Sequence, residues 1–226
     1  MSGSIKLGPL AHELFAVQQQ VAAMGDLAEI QFARAIQALL AGDLGAAGSV
    51  AADEPRMDAF EVAIDRDLVS ILARRQPAAR DLRLLLGLSK TVTYLERIGD
   101  EADRIALRVT RLPKPLRSRV SFAEIQSDAS VAGMLLRSAL KALQQRDTEL
   151  ARAVYHDAKG ASKNYEGLAR KLMTYMATDM RLITGCLELL AIAKAVERVG
   201  GHARSLAQAV VYMVEGEDVR ELMLGL

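Results

Sequence analysis

Apolar residues recur every three or four positions along almost the whole chain, the spacing that builds one face of a helix. Breaks between these runs are few. Pro9 opens a segment that runs to about Leu40, and "AGD" at 41–43 closes it, with Asp43 placed to cap the next helix. That next run carries Met57, Phe60, Ile64, Leu68 and Ile71 on one face. "RRQPAARD" then interrupts the pattern, with Pro77 suited to the first turn of a third helix. "RLPKPLRS", with Pro113 and Pro115, reads as an extended connector. Helical segments over 121–145, 147–176 and 179–215 follow. The pattern predicts an all-α protein.

The second half repeats the first. "AIQALLAGDLGAAGSVAAD" (35–53) lies over "ALKALQQRDTELARAVYHD" (139–157) without a gap, matching Asp43 to Asp147 and Asp53 to Asp157. Further on, Glu96, Arg97, Gly99, Ala102 and Ala106 meet Glu197, Arg198, Gly200, Ala203 and Ala207. A repeat of about 100 residues is too long for a solenoid unit. It predicts two tandem three-helix bundles with six long helices in all, one over 1–112 and the other over 113–226. Helices of about 30 residues span roughly 45 Å, so the molecule should be elongated.

The polar faces are less ordinary. The second predicted helix carries Glu54, Asp58, Glu61 and Asp65, which fall within about 60° of one another at about 100° per residue. The third carries Glu96, Asp100 and Asp103 in the same arrangement. Both stripes flank the apolar face and should reach solvent. Like charges three or four apart cost a few tenths of a kcal/mol each, so the contacts 54/58, 58/61, 61/65, 96/100 and 100/103 could cost roughly 1–2.5 kcal/mol. Solvated helices usually place Lys or Arg at those spacings. Here only Asp100 has such neighbours, Arg97 and Arg104. Two explanations stand. Basic groups on another helix, or water and salt, neutralise the stripes, or the stripes face each other and hold divalent cations. Carboxylates without Cys or His suit Mg, Ca, Mn or high-spin iron better than zinc.

Composition narrows the classes. Aromatic residues make up only 4% with no Trp, which favours helices over strands. A net charge of +1 lacks the basic excess of a nucleic-acid binder. Cys186 has no partner for an intrachain disulfide, lies in an apolar run and reads as a core residue. "MSGSIKLGPLAHELF" lacks the features of a signal peptide, and "LITGCLELLAIAKAV" is too short and polar to span a bilayer, so a cytoplasmic protein is expected. His12 and His156 are isolated, while His202 follows directly on the second motif and is a weaker ligand candidate than the carboxylates. Phosphate-binding loops, dinucleotide fingerprints, nucleophile turns and the Glu-x-x-His pairs of di-iron bundles are missing from the sequence.

"EVAID", "ARRQPAARDLR" and "SKTVTYLERIGDEADRIA", with "AIAKAVERVGGHARSLAQAVVYMVEGEDVRE" near the end, resemble the PhoU family of phosphate-transport regulators. The resemblance, with the repeat, covers nearly the whole chain. It implies two three-helix bundles, frequent homodimers, and multinuclear metal clusters on Glu/Asp-x-x-x-Asp motifs, which Glu96 and Asp100 match. It also implies a cytoplasmic negative regulator of the phosphate-starvation response. Its expected partners are the ATP-binding subunit of the phosphate ABC transporter and a membrane sensor histidine kinase, with the membrane met only through them.

The second motif departs from that pattern. Gly201 stands where the family closes "ERIG" with Asp, and Arg204 matches Asp103. Opposite Glu54, Asp58, Glu61 and Asp65 fall Ala158, Ser162, Tyr165 and Ala169, and shifting the register by one restores no acidic cluster. The expectation is therefore a divalent or trivalent metal cluster (Mg, Mn or Fe, with Zn or Ca as further candidates) in the first bundle only. Its ligands would come from Glu54, Asp58, Glu61, Asp65, Glu96, Asp100 and Asp103. A non-enzymatic regulator is the leading reading. A metal-dependent phosphohydrolase and a metal-free helical adaptor are the alternatives. Paired cations could activate water, but the sequence offers no positioned base. Phosphoester turnover abolished by Glu96→Ala would favour the enzyme, and elemental analysis separates the adaptor.

Overall fold

The computed structural model describes residues 8–158 and 165–217. Among them the fold is helical, with no strand. The first half comprises α1 (Pro9–Ala41), α2 (Leu44–Ala51), α3 (Glu54–Arg75) and α4 (Ala79–Thr110). The single turn α5 (Lys114–Arg117) leads to α6 (Ala123–Gln145), α7 (Thr148–Asp157), α8 (Tyr165–Thr178) and α9 (Ile183–Glu215), the last preceded by a 3-10 turn at Met180–Leu182. Six longer helices thus carry the architecture, as the periodicity predicted, and α2, α5 and α7 are short additions.

Local chemistry sets the breaks. α1 stops at Gly42, which adopts φ 73° and returns its N–H to the Ala38 carbonyl. Asp43 then accepts hydrogen bonds from the Gly45 and Ala46 N–H groups and starts α2. The repeat reproduces this cap, with Asp147 accepting from the Leu150 N–H at the start of α7.

Three expectations need correction. The second predicted helix is two helices, because Pro55 has no N–H to continue the ladder and sits instead in the first turn of α3. Asp53, at that break, is buried between Arg34 at 2.8 Å and Arg56 at 2.5 Å. Pro77 precedes α4 rather than opening it, since Ala78 is the N-cap. The Pro113–Pro115 connector folds into α5, with Pro115 in its first turn. In the second half the 147–176 segment comprises α7 and α8, with 159–164 outside the described residues.

α4 and α9 pack along each other and form the spine. α1, α2 and α3 cover α4, while α6, α7 and α8 cover α9; α1 and α6 also touch. Buried Leu85, Leu88, Val92, Leu95 and Ile98 of α4 and Leu189, Ile192, Val196 and Val199 of α9 contribute to one continuous core. Cys186 is fully buried, as its apolar run suggested, and burial pushes its thiol pKa up.

The spine helices approach closely at Gly87, where an added Cβ would stand 2.0 Å from the Met213 Cγ. Gly48, on α2, has open space around it. Gly→Ala normally stabilises a helix interior by about 0.5–1 kcal/mol. Chemical denaturation should show that gain for Gly48→Ala, whereas Gly87→Ala should lose about 1–2 kcal/mol from overpacking.

Candidate functional site

The two acidic stripes meet. Packing of α3 on α4 sets Glu54 and Asp58 across a small groove from Glu96, Asp100 and Asp103. Glu61 feels the charges of Asp65, Asp58 and Asp100, and Glu96 feels those of Asp100, Glu61 and Asp58. Asp65 lies next to Glu61, and neither lines the groove. Glu54, Asp58 and Asp65 are exposed, while Glu61, Glu96, Asp100 and Asp103 are half-buried.

The chain's own cations barely answer this charge. Arg104 reaches Asp100 at 3.3 Å, and among the described residues the other six carboxylates form no ion pair. Arg97 lowers the Glu96 pKa, but more weakly than Asp100 and Glu61 raise it. Desolvation is the larger cause at both Glu61 and Glu96, and both carboxyls are held above their ordinary value. The carboxylates face one another without closing into a cage: no group of three His, Cys, Asp or Glu among the described residues is gathered for a metal ion.

The floor of the groove comes from α1. Gln31 lines it together with Met57 and Gly99, and is 1% exposed with no hydrogen-bond partner for its Oε1. That orphaned oxygen and the carboxylates form an all-oxygen set that fits a hard cation. Gly99 lets α1 and α3 come close: a Cβ there would stand 3.1 Å from the Gln31 Oε1 and 3.2 Å from the Met57 Cε. Gln31 escaped the sequence reading, although one polar residue on the apolar face of α1, among Ala28, Phe32, Ala35 and Ala38, was a legible signal.

On the flank of α4 that meets α9, Glu101 is 3% exposed and accepts from Arg104 at 2.6 Å and from Arg198 of α9 at 3.3 Å. Arg108 and Glu188 form a second pair across the spine at 2.7 Å. His202, half-buried, lines a cavity of about 480 Å³ there with Glu96, Arg97, Asp100, Glu101, Arg104 and Arg198. Its pKa is lowered, first by desolvation and then by the three arginines, against the pull of Glu101. Glu101 lies off the stripe, so only the tertiary contact reveals its role.

In the second bundle Arg204 stacks over the Tyr155 ring at 4.2 Å, where its counterpart Asp103 lines the groove. Gly201 is exposed, and Gly200 faces Ala132 and Leu135. The partner positions at 159–164 lie outside the described residues.

A duplicated helical fold with a carboxylate groove on one repeat defines the class. The PhoU domain profile matches residues 21–109 and 129–210, both repeats. A Pseudomonas aeruginosa protein named phosphate-specific transport system accessory protein PhoU homolog is 39% identical over 212 residues, 94% of this chain and 88% of its own. The Escherichia coli K12 phosphate-specific transport system accessory protein PhoU is 36% identical over 95% of this chain and 89% of its own. The crystal structure of PhoU from P. aeruginosa superposes with a TM-score of 0.87 at 38% identity, covering 91% of this chain and 99% of that one. This chain belongs to the PhoU family.

Raised carboxyl pKa values carry a pH dependence. A group whose folded-state pKa lies above its unfolded value of 4.5 stabilises the fold fully below that value, and the contribution is lost as pH rises through the folded one. In chelator at pH 7, Glu61→Gln should therefore raise the melting temperature by about 1–3 °C, because the desolvation of a charged carboxyl and its repulsion by Asp65, Asp58 and Asp100 are removed. The gain should shrink as pH falls towards 4.5.

Proposed function

We propose that this protein regulates phosphate uptake as an accessory component of the phosphate-specific transport system, acting as a negative regulator of the phosphate-starvation response. It couples the ATP-binding subunit of the transporter to a sensor histidine kinase. Family membership over both repeats, and relatives named as phosphate-specific transport system accessory proteins, support this role most directly. Among the described residues no helix is long and apolar enough to cross a membrane, which suits a protein that meets the membrane through partners from the cytoplasm.

Docking needs exposed surface. Val62 and Val69 stand outward on α3, as do Met173 on α8, Met180 in the 3-10 turn and Leu187 on α9. Long helical faces with exposed Val, Met and Leu suit side-by-side association with partner helices or with a second copy. The protein acts without catalysing a reaction: its chemistry lies in binding.

The groove between α3 and α4 holds a hard cation in this account, Mg, Mn or Fe before Zn or Ca, on ligands drawn from Glu54, Asp58, Glu61, Asp65, Glu96, Asp100 and Asp103. Such an ion neutralises the facing carboxylates and fixes α3 on α4. The second bundle serves as scaffold or docking surface.

Deleting the gene should switch on phosphate-starvation genes in phosphate-rich medium, and a copy on a plasmid should silence them again. Continued repression in the deletion strain would refute the regulatory role.

A further inference from the structure

Resting on the reading that the acidic groove holds a cation, we propose that Gln31 supplies that cation with a neutral oxygen ligand from α1, so that three helices rather than two build the site. The amide oxygen is buried, has no hydrogen-bond partner, and lines the same groove as Glu54, Asp58, Glu96, Asp100 and Asp103. Ionised carboxylates are acceptors only and cannot satisfy it. A hard cation, or a water bound to one, can. The groove has room, about 10 Å³, for roughly one water-sized occupant between these oxygens.

The second repeat is an internal control. The gap-free register that matches Ala35 to Ala139 puts Leu135 in the place of Gln31. Leu135 is 2% exposed, and its Cδ1 lies 4.0 Å from where a Gly200 Cβ would stand, just as the Gln31 Oε1 lies beside Gly99. In that repeat Asp100 and Asp103 have become Gly201 and Arg204. Glu96 keeps its counterpart in Glu197, but the amide oxygen and the two aspartates are present together in one copy and absent together from the other. A purely structural Gln31 would have no reason to follow the carboxylates, because a buried Leu of similar volume avoids the cost of an unsatisfied amide. Its retention in the first copy assigns it to whatever the carboxylates bind.

The test is Mn²⁺ titration calorimetry on the full chain, paired with thermal unfolding in chelator and in Mn²⁺. Wild type should bind Mn²⁺ and melt higher with it. Gln31→Leu should weaken binding by about 10-fold or more while melting in chelator at or above the wild-type temperature. Gln31→Glu keeps an oxygen but adds a like charge, so it should melt lower in chelator and regain wild-type stability with Mn²⁺. Binding by Gln31→Leu within twofold of wild type, or a drop in its chelator melting temperature with Mn²⁺ affinity intact, overturns the assignment of Gln31 and leaves the cation reading standing. Failure of Gln31→Glu to recover with Mn²⁺ overturns the assignment as well. If wild type itself takes up no Mn²⁺, the cation reading fails first and the ligand role with it.

Discussion

Two helices that must lie against each other carry the same charge along the flank of their contact. α3 and α4 bring Glu54 and Asp58 to face Glu96, Asp100 and Asp103, and Arg104 is the one described basic side chain ion-paired to the stripes. Coulomb repulsion across a partly desolvated groove works against the apolar packing beneath it, where Met57, Ile64, Leu68 and Ile71 are buried. The conflict is local, and a multivalent counter-ion would resolve it. Helices whose only task was packing could carry lysine on that flank at no cost to their core.

The rest of the architecture keeps this groove in register. α1 passes beneath it and contributes Gln31, while Gly99 lets α1 and α3 approach α4. On the other side of α4, Glu101 ties the groove helix to α9 through Arg198, so the helix that carries three of the seven carboxylates is also half of the spine. Glu96 and Asp100 line the groove and also the cavity that holds Arg97, Arg198 and His202. The groove of the first bundle and the junction with the second therefore share two carboxylates.

Most of the fold was legible because helical periodicity is local. The long helices, the Asp43 cap, the repeat and the buried position of Cys186 all follow from spacing and neighbouring residues. The misplacements came from proline: Pro55 splits a helix whose apolar pattern runs on through it, and Pro115 opens a turn where two prolines suggested extension. The seven carboxylates were legible for the same local reason, since stripe and missing counter-charges lie within one turn of each other. Glu101 was not, and Gln31 showed only as a lone polar residue on an apolar face, because the role of each depends on what another helix brings to it. Gln31 belongs to the groove through α3 and α4, and Glu101 belongs to the spine through α9.

The most direct test of the central claim, that the facing carboxylates are matched to a multivalent cation, is the metal content of protein purified without chelator. Elemental analysis should find at least one equivalent of a hard divalent or trivalent metal per chain in wild type, and loss of it in the Glu96→Ala/Asp100→Ala double variant. Trace metal in wild type, or equal content in both proteins, would contradict the account.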